Sequence, residues 1–434
     1  MKLKHYGTAH LKQAELRRAA KHLATYLKLL NEVYKTKAGN LHESSINLVR
    51  DPELLKTLKT LVREKGGKKL KYIIVAGIGG SNLGTKAVYD ALFGFFDVLE
   101  PNRFPKIIFA DTTHPEILKK LHKLVTHDIK SADEILLNII SKSGGTTETT
   151  ANTEVILDML RRKIKFPLDR LVVTTDEGSK LWNLAKEKNV ALLEIPKPVG
   201  GRFSVFSAVG LFPLLLSGID IGALLGGANV VLKKCLSNEL SNPALISAAT
   251  LQKNYAMGKN IFDSFIFNPE LESLGKWYRQ LLGESIGKEE NQKGDLVNIG
   301  ITPTVSIGST DLHSVGQLYL GGPKDKFTAF ISAEKSNSDV KTPEKFTFPV
   351  VQGITGISVQ KIRNAILNGV KAAYRKKNLP YLEIKLPDIS AGSIGEFMQF
   401  KMIEIMFLGN LLGVNAFDQP NVELYKTETK RLLK

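Results

Sequence analysis

The chain is poor in cysteine, in acidic residues relative to basic ones, and in long apolar runs, and each scarcity excludes something. A single cysteine, Cys235, in 434 residues rules out an intramolecular disulfide and any zinc-finger ligand set, and it fits a reducing cytosol. The most apolar stretch, Val205–Ile219, contains Ser207, Gly210, Pro213 and Ser217 and stops at Asp220. It falls short of the ~20 residues a bilayer span requires, so a buried helix is expected there and no membrane partner. Residues 1–5 lead into a charged helical pattern and have no apolar signal core, so a cytoplasmic location is expected. Low-complexity linkers and short-period repeats are also missing.

The shortage of acid leaves a net charge of +17, from 60 Lys and Arg against 43 Asp and Glu. A nucleic-acid partner would call for clustered basic residues and a recognisable reading motif. Here the lysines are spread along the whole chain, and no nucleic-acid partner is expected. A lysine-biased surface that draws in small anions accounts for the charge.

What is present is a regular alternation. Residues 10–35 read as an amphipathic helix. Short apolar runs then follow at Tyr72–Ala76, Ile107–Ala110, Ile135–Ile140 and Leu171–Thr175, separated by helical stretches around 83–95, 115–125, 147–162 and 178–189. A largely helical segment, 204–258, precedes further strands at Phe262–Phe267, Thr304–Ile307, Thr328–Ser332 and Tyr381–Lys385, with helices near 391–412 and 420–433. Apolar runs without alternation, separated by helices, predict parallel sheets covered on both faces. The fold class expected is α/β, as two tandem doubly wound parallel-sheet domains with extra N- and C-terminal helices. The division is a helical arm over 1–50 packing on the second domain, a first domain over 51–220 and a second over 221–434. In such sheets ligands bind beyond the carboxyl ends of the strands.

Two glycine-bearing turns lie there. Gly77-Ile78-Gly79-Gly80-Ser81-Asn82-Leu83-Gly84 joins a strand to a helix, and it is neither a Rossmann nor a P-loop signature. It is either a tight connection or a place where backbone and helix N-terminus approach an anion. Ser141-Lys142-Ser143-Gly144-Gly145-Thr146-Thr147 follows another strand. Its hydroxyls and lysine either cap the next helix or surround a phosphate. Two such turns in one unit favour a phosphate site without a metal, and no carboxylate pattern nearby points to magnesium.

The segments GIGGSNLG, SKSGGTTET, GGRFSVFSAVGLFPL, LLGESIGK, GSTDLHSVGQLYLGG and LGVNAFDQPNVELYK resemble, in order, the motifs of the glucose-6-phosphate isomerase family. The likeness runs from about residue 74 to 430, and GGRFS and FDQPNVE are the most specific parts. Thr85 departs from the proline often found there, and Gly144-Gly145 from bulkier residues. The resemblance implies two sugar-isomerase (SIS-type) domains and a cofactor-free, metal-free aldose–ketose isomerase acting on a small phosphorylated sugar through an enediolate. It further implies a homodimer with a shared active site.

Carried over residue by residue, the likeness makes Glu284 the base that moves a proton between C1 and C2. Arg202 becomes the fixed charge facing the intermediate. His313 and Lys426 assist ring opening, His313 from the neighbouring subunit. Gly80, Ser81, Ser141, Lys142, Ser143 and Thr146 hold the phosphate, while Gln280 and Gln419 face sugar hydroxyls. A non-catalytic sugar-phosphate sensor could dispense with Glu284, His313 and Lys426, all of which are present. Tolerance of mannose 6-phosphate is left open.

Overall fold

A computed structural model describes residues 1–336 and 338–433. Two five-stranded sheets organise it. The first runs Lys106–Ala110, Tyr72–Ala76, Ile135–Ile140, Leu171–Thr175, Ala191–Glu194, all parallel. The runs YIIVA and ILLNII are almost wholly buried because helices cover both faces. The chain leaves Tyr72–Ala76 toward one side of the sheet and returns to pair on the other side with Ile135–Ile140. The switch point therefore falls between those two strands. Both glycine-bearing turns emerge from it.

The second sheet runs Lys2–Lys4, Tyr381–Leu386, Lys326–Ala333, Ile261–Ile266, Thr302–Ile307. Four strands are parallel, and Lys2–Lys4 pairs antiparallel with Tyr381–Leu386 at the edge. The sequence pattern placed these first residues at the approach to a helix. Three extended residues need no side-chain periodicity when a sheet edge supplies backbone partners. A small antiparallel hairpin, Lys288–Glu290 with Leu296–Ile299, and the edge strand Ala191–Glu194 are likewise absent from the pattern reading. They are short and partly exposed.

Val205–Ile219 gives the buried helix Ala208–Leu216, and no helix among the described residues is long and apolar enough to cross a membrane. The N-terminal helix Gln13–Thr36 packs against Ala391–Leu412 and Pro243–Ala256. One continuous core joins Val75, Phe203, Phe212, Leu224, Leu281, Met398 and Phe407, so it spans both sheets.

The contact that positions the site is between two helices. Leu83–Leu92, which follows the first glycine turn, packs along Glu272–Ile286, which carries Glu284. Ser273 donates to Asp90 at 2.5 Å across this seam. Gly84 lets Val205 approach so closely that a Cβ there would lie 2.8 Å from the valine side chain.

Candidate active site

Arg202 is the centre of the site. It lies in the short turn Gly201–Phe203, its side chain 1% exposed, and burial pushes its pKa down while Glu284 and Asp418 oppose the shift. A guanidinium stays charged under such conditions. Nε donates to Ser285 Oγ at 2.7 Å, and Nη2 to the carbonyls of Ala416 at 2.7 Å and Asp418 at 3.0 Å. Nη1 donates to Glu284 Oε2 at 3.2 Å and to Gln419 Oε1. These acceptors match the five N–H groups of an arginine one for one.

Glu284 sits in the last turn of its helix, 31% exposed, with Oε1 accepting from Gln280 Nε2 at 3.0 Å. Gln280 Oε1 is buried without a protein partner, which leaves an acceptor for a hydroxyl. Gly80 meets this cluster through backbone alone: a Cβ there would stand 2.2 Å from the Gly201 carbonyl carbon. Ser81, half-buried, closes the same turn.

The hydroxyl turn adjoins at the next strand. Ser141 Oγ and Thr146 Oγ1 are 2.9 Å apart, and Ser143 is exposed with its Oγ accepting from Gly145 N. Lys142 reaches back to the carbonyls of Lys197 at 2.7 Å and Val199 at 2.8 Å, three residues before Arg202. Burial lowers the Lys142 pKa and raises that of nearby Asp176, which partly offsets the lysine's shift. The turn is thus tied to the Arg202 segment through a lysine and two backbone oxygens.

Two residues singled out from the sequence are not part of this hydrogen-bonded cluster. His313 lies on the short turn Thr310–His313, exposed, and Lys426 lies on Val422–Leu432, paired with Glu423 at 2.6 Å. Among the described residues no hydrogen bond or ion pair connects either one to Glu284 or Arg202. Sequence reasoning also passed over Ser285, Lys288 and Asp418, which hold Arg202 and Glu284 in place. Their signal was proximity, since all three lie within or beside the quoted motifs.

A model of the family described as phosphoglucose isomerase matches residues 15–434. The chain belongs to the phosphoglucose isomerase family. A glucose-6-phosphate isomerase of Carboxydothermus hydrogenoformans is 35% identical over 408 residues, which is 92% of this chain and 86% of that protein. A glucose-6-phosphate isomerase of Methanocaldococcus jannaschii is 35% identical over 364 residues, 83% of this chain and 84% of that one. The crystal structure of a glucose-6-phosphate isomerase from Chlamydia trachomatis matches in fold with a TM-score of 0.83. It covers 99% of this chain and 88% of that one at 21% identity.

Proposed function

We propose that the protein is an aldose–ketose isomerase that interconverts glucose 6-phosphate and fructose 6-phosphate. The observation that carries the reading is the Glu284–Arg202 pair at 3.2 Å, bracketed by Gln280 and Gln419 beside the hydroxyl turn. The turn of Ser141, Lys142, Ser143 and Thr146, with Gly80 and Ser81, holds the phosphate. Gln280 and Gln419 orient the open sugar chain. Glu284 takes the proton from C2 and the electrons of that bond form the enediolate; the same carboxyl returns the proton to C1 while the hydroxyl proton on O2 passes to O1, leaving the carbonyl at C2. Arg202 faces the developing negative charge once its Nη1 bonds exchange toward the substrate.

Lys426 and the partner subunit's copy of His313 serve ring opening in this reading. That requires a homodimer. Helix Val422–Leu432 supports one, because none of its residues is buried and Leu424, Tyr425 and Leu432 stand exposed. A helix this short is marginal in water without packing. The single cysteine, which can form no intramolecular disulfide, is in keeping with a cytoplasmic location.

The test is a coupled assay with fructose 6-phosphate, reading glucose 6-phosphate through its dehydrogenase with and without EDTA. EDTA-insensitive turnover that disappears in Glu284→Gln is the expected result. A folded protein without turnover overturns the assignment.

A further inference from the structure

Lys288 is a buried cation beside this site with no role in the reading above. The helix carrying Glu284 ends at Ile286, and Gly287 closes it. The last carbonyls of a helix lack partners within it and form the negative end of its dipole. Lys288 folds back over that end, with Nζ donating to the Glu284 carbonyl at 2.9 Å. The same ammonium donates to the Asp418 carbonyl at 2.5 Å and meets its carboxylate at 2.9 Å. An ammonium has three N–H donors, and all three are occupied. With its side chain 5% exposed, Lys288 has nothing left to offer a ligand.

Asp418 links this lysine to Arg202. Its carbonyl also accepts from Arg202 Nη2, and the adjacent Gln419 accepts from Nη1. A closed circuit results, from the end of the Glu284 helix through Lys288 and Asp418 to Arg202 and back to the Glu284 carboxylate. Glu284, Arg202 and Asp418 are the charged groups bearing on Lys288. Glu289 and Glu290 follow it along a cavity of about 410 Å³ that Asp418 also lines. Burial pushes the Lys288 pKa down, opposed by Asp418. A methionine of similar length would avoid that desolvation cost, so the ammonium is retained for geometry.

We infer that Lys288 is a positioning residue for Glu284, holding the end of its helix against the loop that orients Arg202. The inference rests on the isomerase reading of the same site. Misplacing a reacting group by ~1 Å can cost about a hundredfold in rate.

The experiment compares wild type, Lys288→Met and Lys288→Arg with glucose 6-phosphate deuterated at C2. In each turnover Glu284 breaks the C2–D bond as the enediolate forms. The deuteron then either forms the C1–D bond of the product or is lost to water. Lys288→Met should lower kcat about a hundredfold, leave KM within about threefold, and reduce the fraction of label delivered to C1. Lys288→Arg should recover most of both. Label fraction is counted per turnover, so unfolded molecules do not affect it. An unchanged label fraction, with or without a lower kcat, overturns the inference. Inert wild type overturns the isomerase reading first and this inference with it.

Discussion

Arg202 and Glu284 meet at 3.2 Å although one side chain is almost wholly buried and the other stands at the mouth of the site. The cation is fixed from behind by Ser285, Ala416 and Asp418, and only its Nη1 edge turns toward the carboxylate. Phe417 reinforces the arrangement, its ring 5.2 Å from that of Phe203 and 5.3 Å from that of His42. The arginine therefore directs the Glu284 carboxylate while its own guanidinium stays charged.

Arg202→Lys should lose this directing function while keeping the charge. A lysine supplies three donors where five are used, and buried acceptors left unpaired cost ~1–3 kcal/mol each. We expect kcat/KM to fall by at least about a hundredfold, with a lower Tm, in steady-state kinetics run alongside thermal unfolding. Activity within about tenfold of wild type would show that charge alone suffices.

Glycine matters at one position of the turns and not at another. Gly80→Ala drives a Cβ into the Gly201 backbone and must displace the Arg202 turn. Gly145→Ala meets no atom within 4 Å. The first should abolish most activity, and the second should keep its Tm within about 1 °C of wild type, a shift of no more than about 1 kcal/mol. Comparable behaviour of the two in the coupled assay would refute the close-approach argument.

Lys142 predicts an opposition between stability and binding. Its folded pKa lies below the ordinary 10.5, so between the two values the unfolded chain holds more protons. Its contribution to stability therefore rises with pH through that window and is unfavourable below it. Lys142→Met should unfold at a higher temperature than wild type at neutral pH and lose that alkaline gain. Its affinity for inorganic phosphate should fall at least about tenfold by calorimetry. A variant that is less stable but binds phosphate normally would reverse the assignment.

A shared site can be tested by complementation. Glu284→Gln and His313→Ala homodimers should each be inactive, and mixing them under subunit exchange should restore about a quarter of wild-type activity, from the heterodimers with one intact site. Exchange confirmed by mass spectrometry without recovered activity would place His313 outside the partner's site.

Much of this was legible in the sequence. Short apolar runs such as Ile135–Ile140, broken only by Asn138 and bounded by turns, read as strands buried on both faces, and the glycine- and hydroxyl-bearing turns after them could be located in the sequence. The motifs around Arg202, Glu284 and Gln419 carried the side chains that the structure brings together. The edge strand Lys2–Lys4 was illegible, because backbone pairing with Tyr381–Leu386 leaves no side-chain pattern. His313 and Lys426 were legible as motif members, and among the described residues no hydrogen bond or ion pair joins them to Glu284.

By itself, then, the sequence determined the α/β class, most strands of the two sheets and the family, since each depends on local pattern or on residues read in order. Tertiary structure decided the rest. It placed Ile135–Ile140 beside Tyr72–Ala76, brought Arg202 to a carboxylate 82 positions away and to a glutamine 217 positions away, and bent Lys288 back over the Glu284 helix. Contacts between such distant positions depend on how the helix seam and the common core pack, and packing acts through shape and burial that no local stretch of chain contains.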